Sequence, residues 1–226
     1  MRIRYLGLLV LLIATLAAPA RAAVVFDNTA EQIFGKYLPS GFLPFSAYVP
    51  NEPTGELIRL GGNERAVTKF EVVLSSSQRT TVESMSLKFY LPTGLDYWGN
   101  PGAPAAEPFY STSAESFVVD GLTTIVFDIP HVDVPDEFIW IVAADSDYAG
   151  LATYGPPTVG TSVDGWWDYD LTARAWFHLD LLQNPVVDFG TRVTAVPEPV
   201  IMPAVLLAIM ALRRSRRGRV VGLSKS

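Results

Sequence analysis

The chain contains no cysteine. Disulfides, thiol nucleophiles, thiolate metal sites and S-lipidation are therefore excluded, and any folded domain must be held by its core alone. Histidine is almost as scarce: His131 and His178 are the only two. A Ser-His-Asp triad would need one of them beside a serine and a carboxylate. His131 lies between Pro130 and Val132, His178 between Phe177 and Leu179, and no G-x-S-x-G elbow accompanies either. Both read as surface histidines, and two do not make a histidine-rich zinc site. Basic side chains are sparse in the middle of the chain. Residues 23–196 carry eight, against 22 acidic ones, a net charge of −14. That sign repels phosphate, so neither nucleic acid nor an anionic membrane surface is expected as a partner. Cationic ligands, calcium or neutral polysaccharide are compatible with it, and so is plain solubility outside the cell.

What is present at the two ends reads as addressing. Arg2 and Arg4 form a basic n-region and Leu6–Leu16 an apolar h-region too short to span a bilayer. Ala20-Arg21-Ala22 follows as an A-x-A cleavage site, with Ala18-Pro19-Ala20 as its alternative. Residues 1–22 are thus expected to be a secretory signal peptide, and the general secretion machinery a partner.

At the other end, Pro197-Glu198-Pro199 precedes an apolar segment, 200–212, and then Arg213, Arg214, Arg216, Arg217 and Arg219. The prolines cannot donate to a sheet ladder and end the domain before them. Thirteen apolar residues rise only about 20 Å as a helix, against a hydrocarbon core of roughly 30 Å. The arginines would stay on the cytoplasmic side and stop transfer. From the residues alone, an ordinary tail anchor or a buried C-terminal helix would also account for the segment. The three elements in this order, over residues 197–226, resemble the PEP-CTERM sorting signal. That resemblance implies exosortase, a membrane protease-transpeptidase, as partner: the chain would touch the inner membrane transiently through 200–212, then pass to the cell surface or extracellular matrix. Residues Val220–Ser226 trail after the arginines, where members often stop.

Between the ends, residues 23–196 form one domain of 174 residues, long enough for a sizeable core. Its patterning is β throughout. Val67, Phe70, Val72 and Leu74 alternate with polar residues, as do Met85, Leu87, Phe89 and Leu91. Gly61-Gly62-Asn63-Glu64 is expected to turn a hairpin, and Asp120-Gly121 a tighter one of type I′. Phe138–Ala144 is a continuous apolar run, expected to be a strand covered on both faces. Leu38–Pro53 is proline-rich and reads as irregular, and Asp96–Ser113 and Tyr148–Gly165 read as long loops. Eight to ten short strands without repeat or long helix predict an all-β, two-sheet β-sandwich of jelly-roll type. Gly165-Trp166-Trp167 and Ala175-Trp176-Phe177, running into the C-terminal signal, are loosely similar to the choice-of-anchor ectodomains.

Two constellations could carry chemistry. Tyr97-Trp98 and Trp166-Trp167-Tyr169 fall in or beside expected loops, where exposed rings would stack on the apolar faces of sugars. Trp98, Trp166, Trp167 and Tyr169 are therefore candidate glycan-binding residues, for a carbohydrate-binding module acting on extracellular polysaccharide. The same tryptophans could instead plug the ends of the core, as Trp140 and Trp176 within strands are expected to. Asp145 and Asp147, with Asp164, Asp168 and Asp170, could supply oxygen ligands to a structural calcium ion, though aspartate also initiates turns unaided. No other cofactor and no catalytic residue is indicated. A secreted glycoside hydrolase would need two carboxylates set across a cleft.

Overall fold

The computed structural model describes residues 21–32, 52–146, 148–163, 165–179 and 188–197. Ala20, the h-region, the stretch 33–51, Asp147, Asp164 and the tail from Glu198, with Pro199 and the arginine cluster, lie outside them. Every regular element described is a β-strand. In chain order they are β1 (Ala23–Asp27), β2 (Thr54–Arg59), β3 (Ala66–Tyr90), β4 (Gly94–Leu95), β5 (Pro101–Ala103), β6 (Tyr110–Asp133) and β7 (Glu137–Ala144). After these come β8 (Ala149–Leu151), β9 (Thr153–Tyr154), β10 (Thr161–Ser162), β11 (Trp166–Asp170), β12 (Ala175–Leu179), β13 (Asp188–Phe189) and β14 (Thr191–Val196). Among the described residues no helix is long and apolar enough to cross a membrane. These strands lie within one compact unit, Ala22–Pro197.

The fold is all-β and antiparallel. One large sheet runs β1-β14-β3-β7-β2-β11-β12, with β6 and β8 also on β3 and β10 on β2. Its organiser is β3, 25 residues long. β6 follows one edge of β3 almost end to end. The other edge is shared by β14 along residues 66–72, β8 along 74–76 and β7 along 85–90. Were β3 straight, Phe70 and Phe89 would stand about 63 Å apart, at roughly 3.3 Å per residue. Their ring centroids are 5.3 Å apart. The strand doubles back, and its two halves face each other across a shared core. Phe70 also meets Trp140 of β7 at 5.6 Å, and Phe89 meets Phe138 at 4.8 Å.

The bend sits where the pairing slips between Ser76 and Thr80, so that residues 77–79 oppose Asp120 alone. Extra residues on one strand kink it without ending the ladder. This corrects the expected Asp120-Gly121 hairpin: the pair lies inside β6, at the corner of a continuous ribbon. Gly121 does adopt the left-handed conformation (φ 64°) that the sequence called for. The Gly61–Glu64 expectation also fails as a hairpin, because β7 separates β2 from β3. A smaller irregularity was legible: the apolar alternation skips a place between Val67 and Phe70, where the β3–β6 register shifts.

Strand β7 lies between β3 and β2 and is buried on both faces. Phe138, Trp140 and Val142 enter the main core, together with Trp166 of β11. Ile139 and Ile141 point the other way, into a second cluster with Tyr90, Ala103 and Trp167. The excursion after β3, carrying the small β4–β5 hairpin, supplies Ala103 to that outer cluster.

Candidate functional site

The outer cluster is open at one end. There a cavity of about 390 Å³ lies between the β4–β5 loop and the β11–β12 strands, with Trp98, Asn100, Gly102, Trp167 and His178 in its wall. The loop, Asp96–Asn100, is built around one carboxylate. Asp96 Oδ1 accepts the Trp98 amide (2.9 Å) and the Asn100 amide (2.7 Å), and Oδ2 accepts Asn100 Nδ2 (2.9 Å). The backbone closes the same turn, with Gly99 N donating to Asp96 O (3.0 Å) and Asp96 N to Asn100 O (2.9 Å). Desolvation opposes ionisation of Asp96, but the bonds from Asn100 and the backbone amides outweigh it and hold the carboxyl below its ordinary value.

This turn displays two rings. Tyr97 donates its amide to Trp176 O (2.8 Å), docking the loop on β12, and its ring stacks on Phe177 at 4.7 Å and 22°. Trp98 stands edge-on to the same Phe177 at 5.2 Å and 90°, and nearly perpendicular to Tyr97. Tyr97 is 57% and Trp98 62% exposed, although both are anchored.

The four residues expected to bind glycan do not form one platform. Successive residues of a strand point to opposite faces, and Trp166-Trp167 opens β11 rather than lying in a loop. Trp166, 7% exposed, packs inward against Phe189 at 5.6 Å. Trp167, 6% exposed, faces outward against His178 at 4.8 Å and lines the cavity. Tyr169 is half-buried against Trp176 at 5.0 Å. Trp98 and Trp167 are thus brought together, while Trp166 is removed to the core. Trp140 is fully buried; Trp176 is only half-buried, between Tyr90 and Tyr169. Sequence reading missed Asn100, Phe177 and His178 as partners of this site. Phe177 and His178 adjoin Trp176 in an evident strand, but only the loop's return over β12 makes them neighbours of Trp98.

Of the five expected calcium ligands, Asp145, Asp168 and Asp170 are among the described residues. Asp145 is exposed beyond β7. Asp168 is buried and accepts Thr54 Oγ1 at 3.0 Å. Asp170 caps the β11–β12 turn by accepting the amides of Thr172 (2.6 Å) and Ala173 (2.8 Å). Glu52 lies close to Asp168 and Asp170; desolvation and then their charges raise its carboxyl above the ordinary value. Among the described residues, no group of three or more histidines or carboxylates is placed to hold a metal ion. His131 is exposed in β6, and His178 is half-buried in β12 with its ring against Trp167.

A second anomaly lies inside the main core. Glu56, in the middle of β2, is fully buried, and Oε1 accepts the Phe189 amide at 2.5 Å. Asp188, also buried, accepts Ser162 Oγ at 2.6 Å. Desolvation, then the nearby Asp188 charge, raise the Glu56 carboxyl well above its ordinary value, with the Phe189 bond only partly opposing them. Its place in the strand Glu56–Leu60 was foreseen; its burial was not, because Phe189 and Asp188 reach it from the far end of the chain. No protein-family model matches this chain, and neither the curated proteins nor the solved structures contain a match to it.

Proposed function

We propose that this chain is an exported, non-enzymatic β-sandwich protein, sorted to the cell surface or extracellular matrix and processed by exosortase at its C-terminal signal. The observation that carries this reading is where the last described strand ends. β14, held between β1 and β3, closes at Val196, and Pro197 opens the tail with the next residue. Cleavage at Pro197–Pro199 would fall after the last residue of β14 in the chain and would release a domain with every described strand intact. The acidic domain, the lack of cysteine and the basic n-region of the signal peptide accord with export. Against a hydrolase stands the one carboxylate among the described residues of the cavity wall, Asp96. Its side chain accepts three hydrogen bonds and its pKa is lowered, whereas a glycosidase needs a pair, one of them with a raised pKa.

The test is expression in a host that has the protease, with and without Glu198→Ala. Intact-mass spectrometry is expected to show residues 200–226 missing from the native protein and retained in the variant. Retention of the full C-terminus in both would overturn the reading.

A further inference from the structure

We propose that the cavity between the β4–β5 loop and strands β11–β12 binds an uncharged glycan chain, with Trp98 as the principal stacking surface. The inference concerns what the domain holds, and it stands independently of how the domain is delivered.

Three observations carry it. First, the rings are fixed before any ligand arrives. Asp96 clamps the loop from three donors, and Phe177 backs both Tyr97 and Trp98. A large exposed ring held in one orientation loses little freedom on binding, which is the favourable case for a ligand of modest contact area. Second, the lining has the right chemistry for a sugar. Trp98 offers an apolar face to C–H groups, and the largely buried Trp167 forms apolar wall beside it. Asn100, whose Nδ2 is committed to Asp96, keeps Oδ1 for a hydroxyl, and His178 adds ring nitrogens. The volume of about 390 Å³ falls in the roughly 300–1,000 Å³ range of ligand sites. Third, the charge pattern selects among sugars. Among the described residues that line the cavity there is no lysine or arginine and one carboxylate, Asp96, and residues 23–196 carry −14. Uronates, sulfated chains and phosphates would meet repulsion there with no described lysine or arginine to offset it. A neutral chain with equatorial hydroxyls and a flat C–H face meets none.

Space over the site is also kept open. A Cβ at Gly102, in the cavity wall, or at Gly99, in the loop, would meet no atom within 4 Å. Nothing folded back from the described chain occupies the approach there.

The experiment is affinity electrophoresis and calorimetry of the purified protein with xyloglucan, galactomannan and hydroxyethyl cellulose, against alginate as the anionic probe. Binding to at least one neutral chain and none to alginate is expected, with a change in tryptophan fluorescence on saturation. Trp98→Ala should weaken binding at least about ten-fold. Leu95→Ala, an exposed residue of the same hairpin outside the cavity, should leave it unchanged. Circular dichroism and the melting temperature of both variants should match the parent, so that lost binding is not lost folding. Preference for alginate, no binding to any chain, or binding indifferent to Trp98→Ala would each overturn the proposal. So would self-association that Trp98→Ala abolishes in the absence of glycan binding, since the exposed rings would then be seating a second copy of the chain.

Discussion

The two faces of the β7–β2–β11 sheet depart from expectation in opposite directions. The inner face is sealed by the doubled-back β3–β6 ribbon, yet it hides a carboxyl, Glu56, with no basic partner among the described residues. Among the described residues the outer face is covered by a small hairpin, and that cover turns two aromatic rings toward water. A polar group buried and an apolar group displayed are the informative exceptions to ordinary burial. Their causes differ. Inside, the whole ribbon fixes the position and Glu56 must adapt, by holding its proton to higher pH than an ordinary glutamate. Outside, one aspartate and one phenylalanine hold the rings where solvation alone would not place them. The inner exception is thus a consequence of packing, and the outer one is an arrangement with its own supports.

The sharpest break of this contrast removes a residue from the sealed side. Trp140→Ala would empty the space where Trp140 meets Phe70 and Phe189, at a cost of about 3–5 kcal/mol. Chemical denaturation should show one cooperative transition with a lowered midpoint. Gly94→Ala attacks the thin cover instead. A Cβ there would stand 2.2 Å from Pro104 O, backbone that cannot swing aside. A cost of about 1–3 kcal/mol is expected, confined to the hairpin. Hydrogen exchange should quicken at the Asp96–Asn100 amides while those of β7 stay protected. Equal loosening of both regions would mean that the two faces are not separable.

How much of this was legible follows from range. Alternation marks a strand and the face it turns inward, so the all-β class, β7 with both sides covered, and the burial of Trp140 could be read locally. The Asp120-Gly121 pair shows the limit. Its backbone preference was legible, but whether left-handed glycine ends a strand or bends it depends on residues 77–79 opposite. The aromatic residues show the same limit, although burial of Trp166 and Trp167 was one of the two readings. Trp98 and Trp167 were both singled out, but loop and strand were exchanged for Trp166-Trp167, and a strand's alternation then sends that pair to opposite faces. Asn100, Phe177 and His178 join Trp98 only through a long loop closure, which carries no local pattern.

The inner exception is sharpened by pH. Glu56 keeps its proton to higher pH when folded than when unfolded, so over that interval the folded state binds more protons. Stability therefore falls as pH rises from the ordinary glutamate value toward the raised one, and the contribution is fully present only below the ordinary value. Glu56→Gln preserves an acceptor for the Phe189 amide and removes the titration. Its melting temperature should vary less with pH across that interval, and should meet or exceed the parent's at its upper end. An unchanged slope would assign the pH dependence to other groups, such as Asp27. The Asp27 carboxyl is lowered, because bonds from Thr29 and Arg192 outweigh its desolvation, and so it acts with the opposite sign.

The smallest expected effect on stability belongs to the outer face. Trp98→Ala deletes the largest exposed ring, but that ring contributes chiefly edge contacts with Phe177 and Tyr97. The loop is fastened through the Asp96 carboxylate and the Trp98 and Asn100 amides, which alanine at position 98 leaves in place. A change within about 0.5 kcal/mol is expected, as for surface positions without a structural task. The melting temperature measures this directly. A loss comparable to that of Trp140→Ala would show that Trp98 is part of the hairpin's core and that its exposure is incidental. A negligible loss would leave an anchored indole that the fold does not need, and the energy of displaying it would then have to be offset by something outside the chain.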